Sequence, residues 1–154
     1  MEDKNFTILL FEDDDNDAFL LQRALKKANI NNPVHRAVDG QEGIDYLTGV
    51  GPYADRGRYP FPRVVLLDLK MPRKSGMEVL EWMKSHPDHK VIPTIIFTAS
   101  REQQDIAAAY GLGANCFIAK PSKFEDLEHL LKVLHEFWRL CEKPGTGPTI
   151  EDEQ

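Results

Sequence analysis

Short apolar runs recur along this chain, each closed abruptly by a polar residue and each followed by a segment with helical spacing of its apolar positions. Phe6-Thr-Ile-Leu-Leu-Phe11 ends in Glu12, and residues 18–28 then carry Phe19, Leu20, Leu21, Ala24, Leu25 and Ala28 at helix spacing. Val34 to Val38 has mixed polarity, as an edge strand does, and a helical segment through Ile44 and Leu47 follows. Val64-Val-Leu-Leu67 stops at Asp68, and a helix is expected through Val79, Leu80, Trp82 and Met83. Thr94-Ile-Ile-Phe97 runs into Thr98 ahead of an alanine-rich helix, and Ala114 to Ile118 leads to Lys120-Pro121. The last helix carries Leu127, Leu130, Leu131, Leu134, Phe137, Trp138 and Cys141. Continuous β-branched and leucine runs suit strands buried on both faces, and strands alternating with helices predict an α/β domain with one parallel sheet.

Local signals place the helix starts. Asp39/Glu42, Ser75/Glu78, Ser100/Gln103 and Ser122/Glu125 all have the spacing of a capping box, so each predicts a helix N-terminus. Residues 49–62 are rich in Gly, Pro and Tyr without apolar period and read as a long surface loop, a length usually functional or mobile. His86 and His89 flank a turn-like Pro-Asp and read as solvent-exposed side chains rather than a metal site. The expected domain is residues 1–143, with 144–154 a disordered tail of Pro, Gly and acidic residues.

Composition narrows the function without choosing it. The 154 residues suit a single domain, and a net charge of -6 argues against sequence-independent nucleic-acid binding. Cys116 and Cys141 are too few for a disulfide framework, no apolar run approaches membrane-spanning length, and the charged N-terminus has no signal-peptide shape. A cytoplasmic location with no membrane partner is expected.

The chemistry collects at the strand ends. In a parallel sheet every strand's carboxyl end lies on one edge, where open α/β sheets place their ligands. Glu12 and Asp13, Asp68, Thr98 and Lys120 all fall there. Taken singly, each has a plain explanation: the run 12–17 as a solvated helix start, Asp68 or Thr98 as a cap, Lys120 as a surface lysine. Taken together, three crowded carboxylates call for a hard divalent cation of the magnesium type. Asp68 could then serve as a nucleophile toward phosphorus, with the Thr98 hydroxyl and the Lys120 ammonium meeting phosphoryl oxygens.

The motifs Ile-Leu-Leu-Phe-Glu-Asp-Asp (8–14), Leu-Leu-Asp-Leu-Lys-Met-Pro (66–72), Phe-Thr-Ala-Ser (97–100) and Ala-Lys-Pro-Ser (119–122) resemble those of two-component response-regulator receiver domains. The resemblance covers residues 6 to about 141 and implies a doubly wound, flavodoxin-like (βα)5 fold with strand order 2-1-3-4-5. It implies that Asp68 accepts a phosphoryl group from a sensor histidine kinase, with Mg²⁺ as cofactor. Asp13 would ligate the ion directly, Glu12 through water, and the Lys70 carbonyl and Asp68 would complete the protein ligands. Thr98 and Lys120 match the family's phosphoryl-contacting residues, and Phe117 its aromatic switch position. Phosphorylation would then alter the surface of the fourth helix, fifth strand and fifth helix. The long loop 49–62 and the absence of a DNA-binding output domain after residue 141 are similar to the small stand-alone regulators of bacterial phytochromes. Those regulators pair as homodimers, the state expected here. Such a protein is a phosphoacceptor in signalling and catalyses only its own aspartyl phosphorylation and dephosphorylation.

Other readings fit less well. A phosphatase of the haloacid-dehalogenase type also has a strand-end Asp nucleophile but carries a second Asp two residues on, where this chain has Lys70. A flavodoxin-like mononucleotide binder needs a phosphate cradle after the first strand, where five carboxylates in six residues would repel it. A non-phosphorylated receiver-like scaffold would have no need of the Asp13, Asp68, Thr98 and Lys120 set.

Overall fold

The computed structural model describes residues 6–141, so the expected tail 144–154 lies outside the described residues. Five strands alternate with five main helices: β1 (Ile8–Phe11), α1 (Asp15–Lys27), β2 (Val34–Ala37), α2 (Gly40–Thr48), β3 (Val64–Leu67), α3 (Gly76–Lys84), β4 (Thr94–Thr98), α4 (Gln103–Gly111), β5 (Cys116–Ala119) and α5 (Phe124–Leu140). A 3₁₀ turn at Gly51–Ala54 and one helical turn at Pro87–Lys90 lie in the connections. All neighbouring strands pair in parallel, in the order β2-β1-β3-β4-β5. This is the doubly wound order expected from the sequence.

The uninterrupted apolar runs bury both faces of the sheet, and strand alternation divides their side chains between two cores. Leu9, Phe11, Val65, Leu67 and Ile96 point to the face covered by α2 and α3, meeting Ile44, Leu47, Leu80 and Met83. Ile8, Leu10, Val64, Leu66 and Ile95 point to the other, meeting Leu21 and Leu25 of α1 and Leu127 and Leu131 of α5. Leu80 and Met83 are fully buried, so truncating either to alanine is expected to cost about 2–5 kcal/mol. α4 is held differently. Only Ala109 of that helix is buried, and no side chain caps its N-terminus.

The capping signals were borne out unevenly. Ser75 and Glu78 form a full reciprocal box at α3. Asp39 accepts the Glu42 N–H at α2, but Glu42 reaches one residue further back, to the Val38 N–H. Ser100 does not begin α4; its hydroxyl donates to Asp105 Oδ2 at 2.6 Å and accepts the Glu102 N–H, and the helix starts three residues later. Ser122 caps nothing either, because the N-cap of α5 is Lys123. In both failures a neighbouring residue took the cap position and the serine sits in the turn before it.

The loop 49–62 is a packed unit. Arg56 donates to the carbonyls of Tyr46 and Leu47, which end α2, and to that of Tyr59. Carbonyls left open at a helix C-terminus favour such a cation. Tyr46, Tyr53 and Tyr59 pack ring against ring at 5.0–5.9 Å, and the Tyr53 hydroxyl donates to Glu42. Burial pushes the Tyr46 hydroxyl up to about 12. The histidines also depart from expectation. His89 is buried between Phe61 and Trp82, with Nε2 3.2 Å from the Leu47 carbonyl, and His86 stacks on Trp82 at 4.2 Å. Each ring replaces water with an aromatic face, which the local Pro-Asp turn gave no means of anticipating.

Candidate functional site

Sheet register brings the predicted residues together. The Glu12 N–H donates to the Ala37 carbonyl, the Asp68 N–H to Phe11, and the Lys120 N–H to Thr98. Each residue just past a strand is therefore tied laterally to the end of a neighbouring strand. Behind Asp68, α3 starts so close that a Cβ on Gly76 would overlap the Asp68 carbonyl oxygen and lie 2.6 Å from Leu69 Cα. Glycine at the first position of α3 is what allows that approach.

The result is a cleft of about 390 Å³ lined by Glu12, Asp13, Asp14, Asp17, Asp68, Lys70, Thr98, Ala99, Ser100, Arg101, Glu102 and Lys120. Glu12, Asp68 and Thr98 are buried and Asp13 is exposed. Carboxylate oxygens of Glu12, Asp13 and Asp68 lie within 4.8 Å of one another. An all-oxygen donor set this compact, next to a backbone segment at Lys70, fits a hard divalent metal ion. Phe117 lies on β5, paired with Ile96 across the sheet, and packs against the α2/α3-side core. The Tyr110 hydroxyl of α4 accepts the Phe117 N–H at 3.0 Å, a strand-to-helix link not anticipated from the sequence.

Lys120 is the electrostatic centre. Its Nζ donates to Glu12 Oε1 at 2.7 Å, Asp17 Oδ2 at 2.8 Å and Asp68 Oδ2 at 3.0 Å. Burial alone would lower the Lys120 pKa, but the hydrogen bonds to Asp17, Glu12 and Asp68 outweigh it and hold the ammonium above its ordinary range. Burial raises Glu12 above the usual carboxylate range, against the pull of its bonds from Lys120 and the Asp14 N–H. The two shifts have one origin, a cation and carboxylates sharing a site with little water.

Asp17 and Arg36 were not singled out by sequence reasoning. Asp17 belongs to the acidic run 12–17, but a run says nothing about which member turns inward. The signal lies in the helix start: Asp14 is the N-cap of α1 and accepts the Asp17 N–H, which sets residue 17 one turn in. Arg36 Nε donates to the Glu12 carbonyl at 2.8 Å, and its Nη1 pairs with Asp15 at 2.9 Å, so the edge strand braces the acidic corner.

Comparison with known proteins agrees with this fold. Residues 8–132 match the response regulator receiver domain. Response regulator Rcp1 of Synechocystis sp. is 36% identical over 131 residues, covering 85% of this chain and 87% of that one. The Mn(2+)-bound form of Rcp1 superposes with a TM-score of 0.80 at 34% identity, covering 91% and 99% of the two chains. The response regulator RPA3017, in red light signaling of R. palustris, gives a TM-score of 0.86 at 32% identity, covering 91% and 99%. The phosphorylated cyanobacterial phytochrome response regulator RcpA gives 0.80 at 36% identity, covering 94% and 99%. This chain therefore belongs to the response regulator receiver domain family.

Proposed function

We propose that Asp68 is the phosphoryl acceptor of a signalling switch, charged by a sensor histidine kinase of the phytochrome type. The observation that carries this reading is the convergence of Glu12, Asp13, Asp68 and Lys120 on one cleft. Similarity over most of the chain to RcpA, a cyanobacterial phytochrome response regulator, and to RPA3017, of red light signaling, supports the choice of kinase.

In the transfer, an Asp68 carboxylate oxygen attacks phosphorus while the phosphorus–nitrogen bond of a phosphohistidine breaks. The electron pair of that bond leaves with the imidazole, and an aspartyl phosphate remains. Lys120 offers its N–H donors to the charge that builds on the phosphoryl oxygens, and Thr98, buried beside it at the end of β4, offers a hydroxyl. Mg²⁺, held by Glu12, Asp13, Asp68 and the Lys70 carbonyl, would supply charge neutralisation on those oxygens. Thr98 moving toward the new charge would draw on the segment leading into α4, and Phe117 would follow by burial of its ring, since it has no hydroxyl to exchange. The α4–β5–α5 surface would then differ between two populated states, by as much as the phosphoryl group's contacts differ between them. Val133, Phe137 and Leu140 stand exposed on α5, which supports a homodimer as the state in which that surface works. We place this activity in the cytoplasm. Among the described residues, no helix is long and apolar enough to cross a membrane.

The test is incubation with a small phosphodonor such as acetyl phosphate, with Mg²⁺ or with a chelator. Incorporation should require the metal and disappear in Asp68→Asn. Label retained by that variant would refute the assignment.

A further inference from the structure

Lys120 has three N–H donors, and all three are engaged. Two of the acceptors, Glu12 and Asp68, belong to the carboxylate group that fits a metal ion, and the third, Asp17, does not. The three also differ in burial. The Glu12 and Asp68 side chains are 4% and 9% exposed, whereas that of Asp17 is 41% exposed. Asp17 is nevertheless held in place, because its own N–H donates to the Asp14 carboxylate at 2.9 Å in the first turn of α1.

We propose that Asp17 is a positioning residue that competes with the phosphoryl group on Asp68 for the Lys120 ammonium. The inference rests on the phosphoacceptor reading above. Phosphorylation removes the charge of the Asp68 carboxylate and passes that donor to the phosphoryl group, so any further bond from the ammonium to a phosphoryl oxygen requires leaving Glu12 or Asp17. Leaving Glu12 would strand a buried charge, which is costly. Leaving Asp17 exposes an oxygen that water can take over, so this is the bond that gives way. Its strength then opposes phosphorylation directly: while Asp68 is unmodified Asp17 keeps Lys120 drawn toward α1, and the phosphorylated state must overcome that hold. An ion pair this exposed is of modest strength, so removing it should favour the phosphoryl group about threefold.

The experiment is a beryllofluoride titration of the full chain at saturating Mg²⁺, followed by fluorine NMR, with melting temperatures measured alongside. Asp17→Asn and Asp17→Ala should each bind the mimic about threefold more tightly than the parent, whereas Asp17→Glu, which keeps the charge, should lie closer to the parent. A residue needed only for structure would weaken binding or leave it alone. The control is Asp15→Asn, which removes a charge from the same turn of α1 at a side chain that is 94% exposed and does not line the cleft. That variant should bind as the parent does. Unchanged or weaker binding in Asp17→Asn overturns the proposal, and so does an equal gain in Asp15→Asn, which would trace the effect to general charge. A parent chain that binds no beryllofluoride with Mg²⁺ present would overturn the phosphoacceptor reading itself, and this proposal with it.

Discussion

Replacing Lys120 by methionine keeps most of the side chain's volume and removes the only cation paired with the Glu12 and Asp68 carboxylates among the described residues. Both carboxylates are buried, and breaking a buried pair from one side typically costs about 3–5 kcal/mol. Asp17 adds little to that figure because solvent screens it. In the absence of metal, the lower value of about 3 kcal/mol should appear as a fall of about 6–12 °C in melting temperature for a chain of this length. The loss should depend on pH in a definite direction. Burial already raises Glu12 above its ordinary value of 4.5, and without Lys120 it rises further. A carboxyl whose folded pKa exceeds its unfolded one binds more protons in the native state, so stability falls as pH rises from the unfolded value through the folded one. The deficit of Lys120→Met should therefore be small near pH 4.5 and grow toward pH ~8. Mg²⁺ should recover part of it, since a ligand at about a hundred times its Kd stabilises by about 2.7 kcal/mol. Urea denaturation of both chains at several pH values, with chelator or with Mg²⁺, reads all three effects. A variant within about 1 kcal/mol of the parent at pH ~8 without metal, or a deficit indifferent to pH, would refute the electrostatic account of this site.

Further outcomes can be measured independently. Gly76→Ala should force the start of α3 away from the Asp68 carbonyl, costing about 1–3 kcal/mol in denaturation and weakening divalent-metal affinity by calorimetry; equal affinity would show that the approach does not set the site. His89 bonds the Leu47 carbonyl through Nε2 and has a buried Nδ1 without a partner among the described residues, and burial lowers its pKa. As pH falls below the ordinary value of 6.5 the unfolded chain takes up a proton that the native ring refuses, so stability should drop. His35 and His135 are shifted the same way, so His89→Gln should reduce the drop rather than abolish it. Arg56→Ala removes donors to three carbonyls and should cost about 2–3 kcal/mol, with limited proteolysis opening first in residues 49–62.

What could be read from the sequence were the features whose cause lies within a few residues or in strand alternation. Val64 to Leu67 forms a buried strand because nothing in it can face water, and Asp68 follows because the run stops there. The same logic placed Glu12, Thr98 and Lys120 at strand ends, and parallel pairing gathered them. Capping was legible where the side chain met its own helix, as at Ser75, and failed where a neighbour was the better-placed N-cap, as at Ser122. The residues that escaped depend on tertiary partners. Arg56 acts on the end of a helix already completed, His89 reaches a carbonyl 42 residues away, and Asp17 owes its role to a lysine 103 residues away. Spacing has no access to contacts of that kind.

The thin anchoring of α4 has a consequence for how hard the molecule is to rearrange. α3 is closed by a full capping box and buries Gly76, Val79, Leu80 and Met83, so its amide protons should exchange with solvent only when the whole domain opens. α4 buries one alanine and is otherwise tied down by the Tyr110 hydroxyl and the Ser100–Asp105 bond, so its protons should exchange through local openings of far smaller free energy. The domain thus has a stiff flank and a compliant one, and Thr98 sits just ahead of the compliant flank. Leverage follows from that inequality: where the resting arrangement is held by so little, a weak preference at one hydroxyl is enough to change which arrangement most molecules adopt.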